Sequence, residues 1–433
     1  MGNVNVNIGI IGFGTVGTGA IKILLEKKKE LKEKTGINFC LKKIADLDIK
    51  KERHIKIDKN ILTTDANEII NDESIDIVVE LIGGINPAKT FILNSLKNKK
   101  NVVTANKALL SEYADLIFQT AAENNRIVKF EASVCGGIPI LKVLSDGLTA
   151  NRILNIYGIV NGTANYILTN MSKYGKSFDE ALKEAQIKGF AEADPTFDIK
   201  GNDSVHKLAV LATLGYGINV KAKDIYCEGI TEVTALDLKY AHKLEYEIKL
   251  LAIAKLHNHN LDLRVHPTLI PQKSMLAKTD FENNAIYITG DAVGPLMLYG
   301  KGAGMMPTAS AVVADIIDIA KKMVNNSLEN GIYYFNKQPL NIYPMFALKT
   351  KYYLRFSAKD KTYVLANIAK VLSDSGISIA SLLQTETNED GSAVIVIMTH
   401  PAIEKSMISA LEALNKLSVI QGKVFALRVE DEF

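Results

Sequence analysis

Between residues 188 and 211 the chain reads KGFAEADPTFDIKGNDSVHKLAVL, placing Glu192, Asp194, Asp198, Asp203 and Lys207 along a turn that runs into an apolar-periodic stretch. Pro195 fixes the backbone of the turn and Gly201 loosens it. Val205, Leu208, Ala209, Leu211 and Ala212 recur at helical spacing, which predicts a helix over residues 202 to 214. Asp203 and Lys207 then lie four apart on one face, a carboxylate beside an ammonium. As an exposed ion pair this is worth only a few tenths of a kcal/mol. The other reading has the two groups held side by side, facing whatever the preceding loop binds.

Two other segments supply the ligand. The chain opens with VNVNIGIIGFGTVGTGAIKILL, in which the apolar run Val4 to Ile11 meets Gly12, Gly14 and Gly17 in GxGxxG spacing before a helical pattern. That is the strand, turn and helix start of a dinucleotide-binding unit. Gly12 permits the tight turn, Gly14 lets a pyrophosphate approach the backbone, and Gly17 lets helix and strand pack closely. With Phe13, Thr15 and Val16 they make up the predicted cofactor loop. The second segment, NVVTANKALL at residues 101 to 110, has a short strand that delivers Asn106 and Lys107 where open parallel sheets bind ligands. Alone, such a lysine reads as a solvated surface residue; in a dinucleotide-binding domain it is a site candidate.

The 433 residues suffice for two or three domains with ample cores. With 51 Lys plus Arg against 48 Asp plus Glu, the total charge implies no large basic face for nucleic acid. The run EKKKELKEKTG, Glu26 to Gly36, mixes signs at helical spacing and reads as the exposed end of the first helix. Cys40, Cys135 and Cys227 are far apart and form no CxxC, so neither a disulfide framework nor a structural zinc is expected, and a reducing cytoplasm fits. No charged start with an apolar signal core and no apolar stretch near membrane-spanning length is visible, so a soluble cytoplasmic protein with no membrane partner is expected.

GFGTVG, TANKALL, EASVCGGIPI, NGTANYIL, AEADPTFDIKGNDSVHKL and GKGAGMMPTASAVVADI, in that order, resemble homoserine dehydrogenase over residues 5 to 433, with a tail similar to an ACT regulatory module. The resemblance implies reduction of L-aspartate 4-semialdehyde to L-homoserine with NADH or NADPH, a reversible step toward threonine and methionine. The expected fold is α/β. Apolar strands alternating with helices over residues 1 to 136, the last of these strands from Ile127 to Glu131, predict a Rossmann-type doubly wound parallel sheet. Residues 137 to 306 read as an α+β substrate and dimerisation domain, and by the family pattern a helix at about 307 to 325 returns to the first domain. Residues 326 to 349 lack a clear period and read as a linker, and residues 350 to 433 match a βαββαβ ACT module. Where ACT loops usually carry Pro-Gly this chain has Thr362 and Tyr363, which weakens the case for an amino-acid effector such as threonine. A homodimer or homotetramer is the expected assembly.

Carried onto this sequence, the family pattern makes Lys207 the proton donor and Lys107 its partner near the cofactor, the sequence leaving the division of duties between the two lysines open, with Asp203 the group that orients substrate or a water and Glu192 the acceptor for the substrate ammonium. Asp194 and Asp198 are as well explained by turn stabilisation, and His206 reads as a core or surface residue. Two neighbouring ammonium groups would lower each other's pKa. Family members hold a monovalent cation, usually sodium, through oxygens at positions matching Glu131, Val134, Gly136 and Ile138; the alternative for this loop is a tight structural turn. Cofactor choice rests on the end of the second strand. Asp46 or Asp48 would favour NAD and Lys50 or Arg53 would hold the extra phosphate of NADP, while Ala45 stands where relatives often have Arg. A non-catalytic sensor built from the same modules is disfavoured because Lys107, Glu192, Asp203 and Lys207 are all present.

Overall fold

The computed structural model describes residues 4–325, 340–359, 361–384, 392–431 and 433. Runs of β-branched and aliphatic residues buried on both sides make a parallel sheet from β1 (Val4–Ile11), β2 (Ile37–Ala45), β3 (Leu62–Thr63), β4 (Ile77–Glu80), β5 (Asn101–Thr104) and β6 (Val128–Lys129). Their order is β3-β2-β1-β4-β5-β6, so the direction of winding reverses between β1 and β4. The crevice above that reversal is where such sheets take a ligand. Helix Met305–Val324 closes this unit from far along the chain: Ala309, Val312, Ile316 and Ile319 share a buried core with Ile21, Leu24 and Ile10. Gly19 makes the contact close, since a Cβ there would come 2.9 Å from that of Ala309.

The middle of the chain forms antiparallel strands Ile153–Ile159, Tyr246–His257, Asn260–Pro271, Asn283–Gly290 and Gly294–Lys301. Helices Gly162–Tyr174 and Asn202–Tyr216 bury Ile167, Leu168, Leu208 and Leu211 in the core that this sheet shares. The C-terminal unit runs strand Lys349–Lys359, helix Val364–Asp374, strands Ile379–Gln384 and Ser392–Thr399, helix Glu404–Leu414 and strand Ile420–Val429, a βαββαβ order.

Three details differ from the sequence reading. The expected strand from Ile127 to Glu131 pairs only through Val128–Lys129; Glu131 leaves it for a short helical turn, its N–H donating to Asp315 at 2.8 Å. Of the stretch read as a linker, residues 326–339 lie outside the described residues. Asn341–Ile342, however, pairs in parallel with Asn260–Leu261, and Met345–Ala347 adds a helical turn. The C-terminal unit also extends the middle sheet: Thr268 and Leu269 pair with Arg428 and Val429. The reason is chemical as well as geometric, because buried Arg264 of the middle sheet bonds both Asp262 and Glu430. Among the described residues no helix is long and apolar enough to cross a membrane.

Candidate active site

β5 ends at Thr104, whose hydroxyl donates to Glu80 at 2.6 Å; Glu80 also accepts from the N–H groups of Ile82 and Gly83 at 2.9 and 3.2 Å. Burial pushes the Glu80 carboxyl up, against the pull of those hydrogen bonds. Asn106 follows. Its Oδ1 accepts from Leu109 N at 3.1 Å, capping helix Lys107–Glu123, and its Nδ2 donates to Gly84 O at 2.6 Å. The ends of β4 and β5 are thus tied together, and Lys107 enters the cleft from the first turn of a capped helix.

Across the cleft, helix Asn202–Tyr216 starts from Gly201, whose φ of +86° a side chain would strain. One oxygen of Asp203 meets Lys107 Nζ at 2.7 Å; the other meets Lys207 Nζ at 2.7 Å and accepts from Asn161 Nδ2 at 2.8 Å. Lys207 Nζ donates further to Val160 O at 2.6 Å, a carbonyl that also accepts from Asn284 at 3.0 Å. Side-chain exposure is 5% for Asp203, 11% for Lys207 and 34% for Lys107, a gradient from the floor of the cleft to its mouth.

One carboxylate therefore stands between two ammonium groups, which corrects the expectation of a lowered pKa at Lys207. Burial alone would raise the Asp203 carboxyl, but the charges of Lys207 and Lys107 outweigh it and hold its pKa well below the carboxylate range. Burial alone would lower Lys207; Asp203 outweighs that, and the ammonium titrates above an ordinary lysine.

The other predicted residues divide. Asp194 accepts from Thr196 N at 3.1 Å, a turn-stabilising role. Asp198 is drawn to the site floor by the same Asn161 amide at 2.8 Å; burial pushes its carboxyl up and the Asp203 charge adds to that. Glu192 is exposed on the loop before Thr196–Ile199 and forms no ion pair among the described residues, whereas both lysines pair with Asp203. His206 joins the two site helices, its Nδ1 2.5 Å from Ser111 Oγ and its ring stacked on Phe197. Asn161 and Asn284 escaped the sequence reading. Asn161 sits in a noted motif but also caps helix Gly162–Tyr174 by accepting from Ala164 N at 2.7 Å, so its signal was that of a cap. Asn284 carries no local signal at all.

The glycine loop fits a dinucleotide. Gly12 has φ +109°, and a Cβ there would come 2.8 Å from Leu81 O; a Cβ on Gly17 would overlap Gly12 O. Gly14 faces open space, and no hydrogen bond among the described residues takes the N–H groups of Gly14, Thr15 or Val16 at the helix start. Phe13 is spoken for: its N–H donates to Asp46 at 2.6 Å and its carbonyl accepts from Arg53 Nε at 2.5 Å. Arg53 also lies over the Phe13 ring and 3.2 Å from Asp46, so the two residues read as competing cofactor contacts are paired with each other.

In the loop between the domains, both Glu131 carboxylate oxygens are taken at 2.8 Å by the N–H groups of Leu141 and Lys142. The Ile138 carbonyl accepts from Ile140 N at 2.8 Å and that of Glu131 from Val134 N at 3.4 Å, whereas no hydrogen bond among the described residues reaches Val134 O or Gly136 O. Gly136 has φ +42°, and a Cβ there would come 2.8 Å from Gly302 O. Two open main-chain carbonyls in a buried loop suit a weakly charged cation. The side chain of Glu131, by contrast, is a helix cap.

A doubly wound sheet with a glycine loop, facing a second domain that contributes a buried lysine and carboxylate, defines a nicotinamide-dinucleotide oxidoreductase. Residues 12–131 match the family profile for the homoserine dehydrogenase NAD-binding domain, residues 139–317 that for homoserine dehydrogenase, and residues 352–419 that for the ACT domain. The chain is 43% identical over 430 residues to the homoserine dehydrogenase of Neisseria gonorrhoeae, covering 98% of each, and 40% identical over 431 residues to that of Bacillus subtilis, again 98% of each. A crystal structure of a homoserine dehydrogenase from Thiobacillus denitrificans superposes with a TM-score of 0.93 at 42% identity, covering 99% of each chain. A hyperthermophilic archaeal homoserine dehydrogenase in complex with NADPH, 28% identical, covers 74% of this chain and 98% of its own with a TM-score of 0.63. The chain belongs to the homoserine dehydrogenase family, and its activity is the NAD(P)-dependent interconversion of L-aspartate 4-semialdehyde and L-homoserine.

Proposed function

We propose that Lys207 gives the proton to the carbonyl oxygen of the semialdehyde during reduction, and takes it back in the reverse direction. A bound nicotinamide dinucleotide supplies or accepts the hydride. The observation that carries this reading is the Asp203 carboxylate held between Lys107 and Lys207 at 2.7 Å each. Asp203 keeps Lys207 protonated and aimed, and Lys107, the more exposed of the two, adds positive charge where an oxyanion develops. Glu192, exposed on the loop that leads into the Asp203 helix, receives the substrate ammonium.

The N–H groups of Gly14, Thr15 and Val16 are the assigned pyrophosphate contacts, with Gly12 and Gly17 shaping the turn. Arg53 is the donor for a 2′-phosphate and Asp46 the acceptor for a free ribose hydroxyl, each available once their mutual pair opens, which allows either NADP or NAD. The carbonyls of Val134 and Gly136, with those of Glu131 and Ile138, are the oxygens assigned to a monovalent cation such as sodium, which would stiffen the loop between the domains. The C-terminal unit is assigned an amino-acid effector of the threonine type, opposed by Tyr363, which occupies a left-handed backbone position at the start of its helix with φ +70°. A cytoplasmic homo-oligomer, dimer or tetramer, completes the reading; the outer edge of strand Gly294–Lys301, unpaired among the described residues, is a surface that can serve it.

The test follows absorbance of NADPH and of NADH with aspartate semialdehyde in the wild type and in Lys207→Ala. The wild type should oxidise at least one cofactor, and the variant should bind it yet turn over ~100-fold more slowly, the range for a lost acid catalyst. Wild-type turnover in Lys207→Ala would remove the proton-donor assignment.

A further inference from the structure

The last strand of the ACT unit reaches the catalytic carboxylate by a short mechanical route. Arg428, 7% exposed, sits between two glutamates. Its Nε donates at 2.9 Å to Glu404, on the ACT unit's own second helix, and its two terminal nitrogens donate at 2.8 and 3.2 Å to Glu228 of the middle domain. Tyr226 joins them, its hydroxyl bonded to both Glu228 and Arg428.

Glu228 belongs to a segment that has no freedom of its own. Its N–H donates to Val265 O at 2.8 Å, Ile230 N–H donates to Ile199 O at 2.8 Å, and Cys227 Sγ lies 3.2 Å from Lys200 O. Gly229 presses on the same three-residue stretch: a Cβ there would run into Ile199 O and stand 2.6 Å from Lys200 Cα. A Cβ on Gly201 would in turn stand 3.0 Å from Cys227 Sγ and 3.3 Å from Glu228 O. Ile199, Lys200 and Gly201 are the residues between Asp198 and the first turn of the Asp203 helix. Any shift of Glu228 is passed through backbone contacts to the start of that helix, because packed backbone has no slack to absorb it.

We infer that Arg428 and Glu228 are positioning residues for turnover, a clamp by which the ACT unit sets the placement of Asp203. The inference rests on the reading of Asp203 as the carboxylate that aims Lys207. Another of the ion pairs joining the ACT unit to the middle domain, Arg355 to Asp237 at 2.5 Å, meets helix Ala235–Lys243 and not the Gly201 segment. It provides a control for docking without positioning.

Steady-state kinetics of Glu228→Gln, Arg428→Lys, Arg355→Gln, Asp203→Asn and the Glu228→Gln/Asp203→Asn double variant test this. Glu228→Gln should lower kcat about tenfold while KM for the dinucleotide stays at the wild-type value, the scale of effect from a small misplacement of a catalytic group. Arg428→Lys, which keeps the charge but not the forked contact, should show a smaller loss in the same direction. Arg355→Gln should keep the wild-type kcat. In the Asp203→Asn background Glu228→Gln should cost nothing more, since both act through one group. A wild-type kcat in Glu228→Gln, an equal loss in Arg355→Gln, or additive losses in the double variant would each overturn the clamp. Wild-type turnover in Asp203→Asn alone would instead overturn the site reading on which it rests.

Discussion

At the scale of single residues the site is an argument about one carboxylate. The carboxyl of Asp203 is held well below the usual carboxylate range, because two ammonium groups outweigh the cost of burying it. Its charge is also what lifts Lys207 above an ordinary lysine. Asp203→Asn removes the largest of the influences that oppose burial, leaving the weaker ones of Cys135 and Asp198, and burial favours the neutral amine. A proton donor is lost as pH rises through its pKa, so the alkaline limb of the kcat/KM profile should move to lower pH in Asp203→Asn. An unmoved limb would mean that another group donates. The spacing of Asp203 and Lys207 was legible because four residues make one helical turn and the apolar pattern around them is strong. The approach of Lys107 from the other domain was not legible as geometry, since nothing in local periodicity says which helix starts face each other. Asn161 was hidden for a different reason: asparagine before a helix already has a sufficient explanation as a cap.

At the scale of elements, the glycine loop separates two jobs that its motif writes as one. Gly17 is a packing residue, with Gly12 O where its Cβ would be, whereas Gly14 has nothing within 4 Å of that position. Gly17→Ala should therefore lose stability, on the order of 1–3 kcal/mol as for other overpacked sites, measured by urea unfolding without cofactor. Gly14→Ala should unfold like the wild type yet raise KM for the dinucleotide by about tenfold or more, because only the bound pyrophosphate meets the new methyl. The strand, turn and helix around these glycines could be read directly from periodicity. The strand ending near Glu131 was read too long, because its termination depends on Asp315, 184 residues away, which no local window contains. The same is true of residues 341 and 342, whose strand character comes only from Asn260 and Leu261. Elements defined by local pattern were legible; elements defined by a distant partner were not.

At the scale of the whole molecule, the C-terminal unit shares a sheet and a buried charge network with the middle domain. Arg264, 1% exposed, holds Asp262 at 2.9 Å and also Glu430, which in turn takes Lys255 at 2.9 Å. Removing one partner of a buried ion pair leaves the other uncompensated, typically at a cost of about 3–5 kcal/mol. Glu430→Ala should lose stability on that scale in urea unfolding; a loss below about 1 kcal/mol would mean the network is dispensable. The bridge of Lys107 and Lys207 through Asp203 also spans two domains. Because one carboxylate is shared, the walls of the cleft are held to each other by the same three side chains that line it, so a substitution at any of them alters how the two domains fit as well as the charge at their seam.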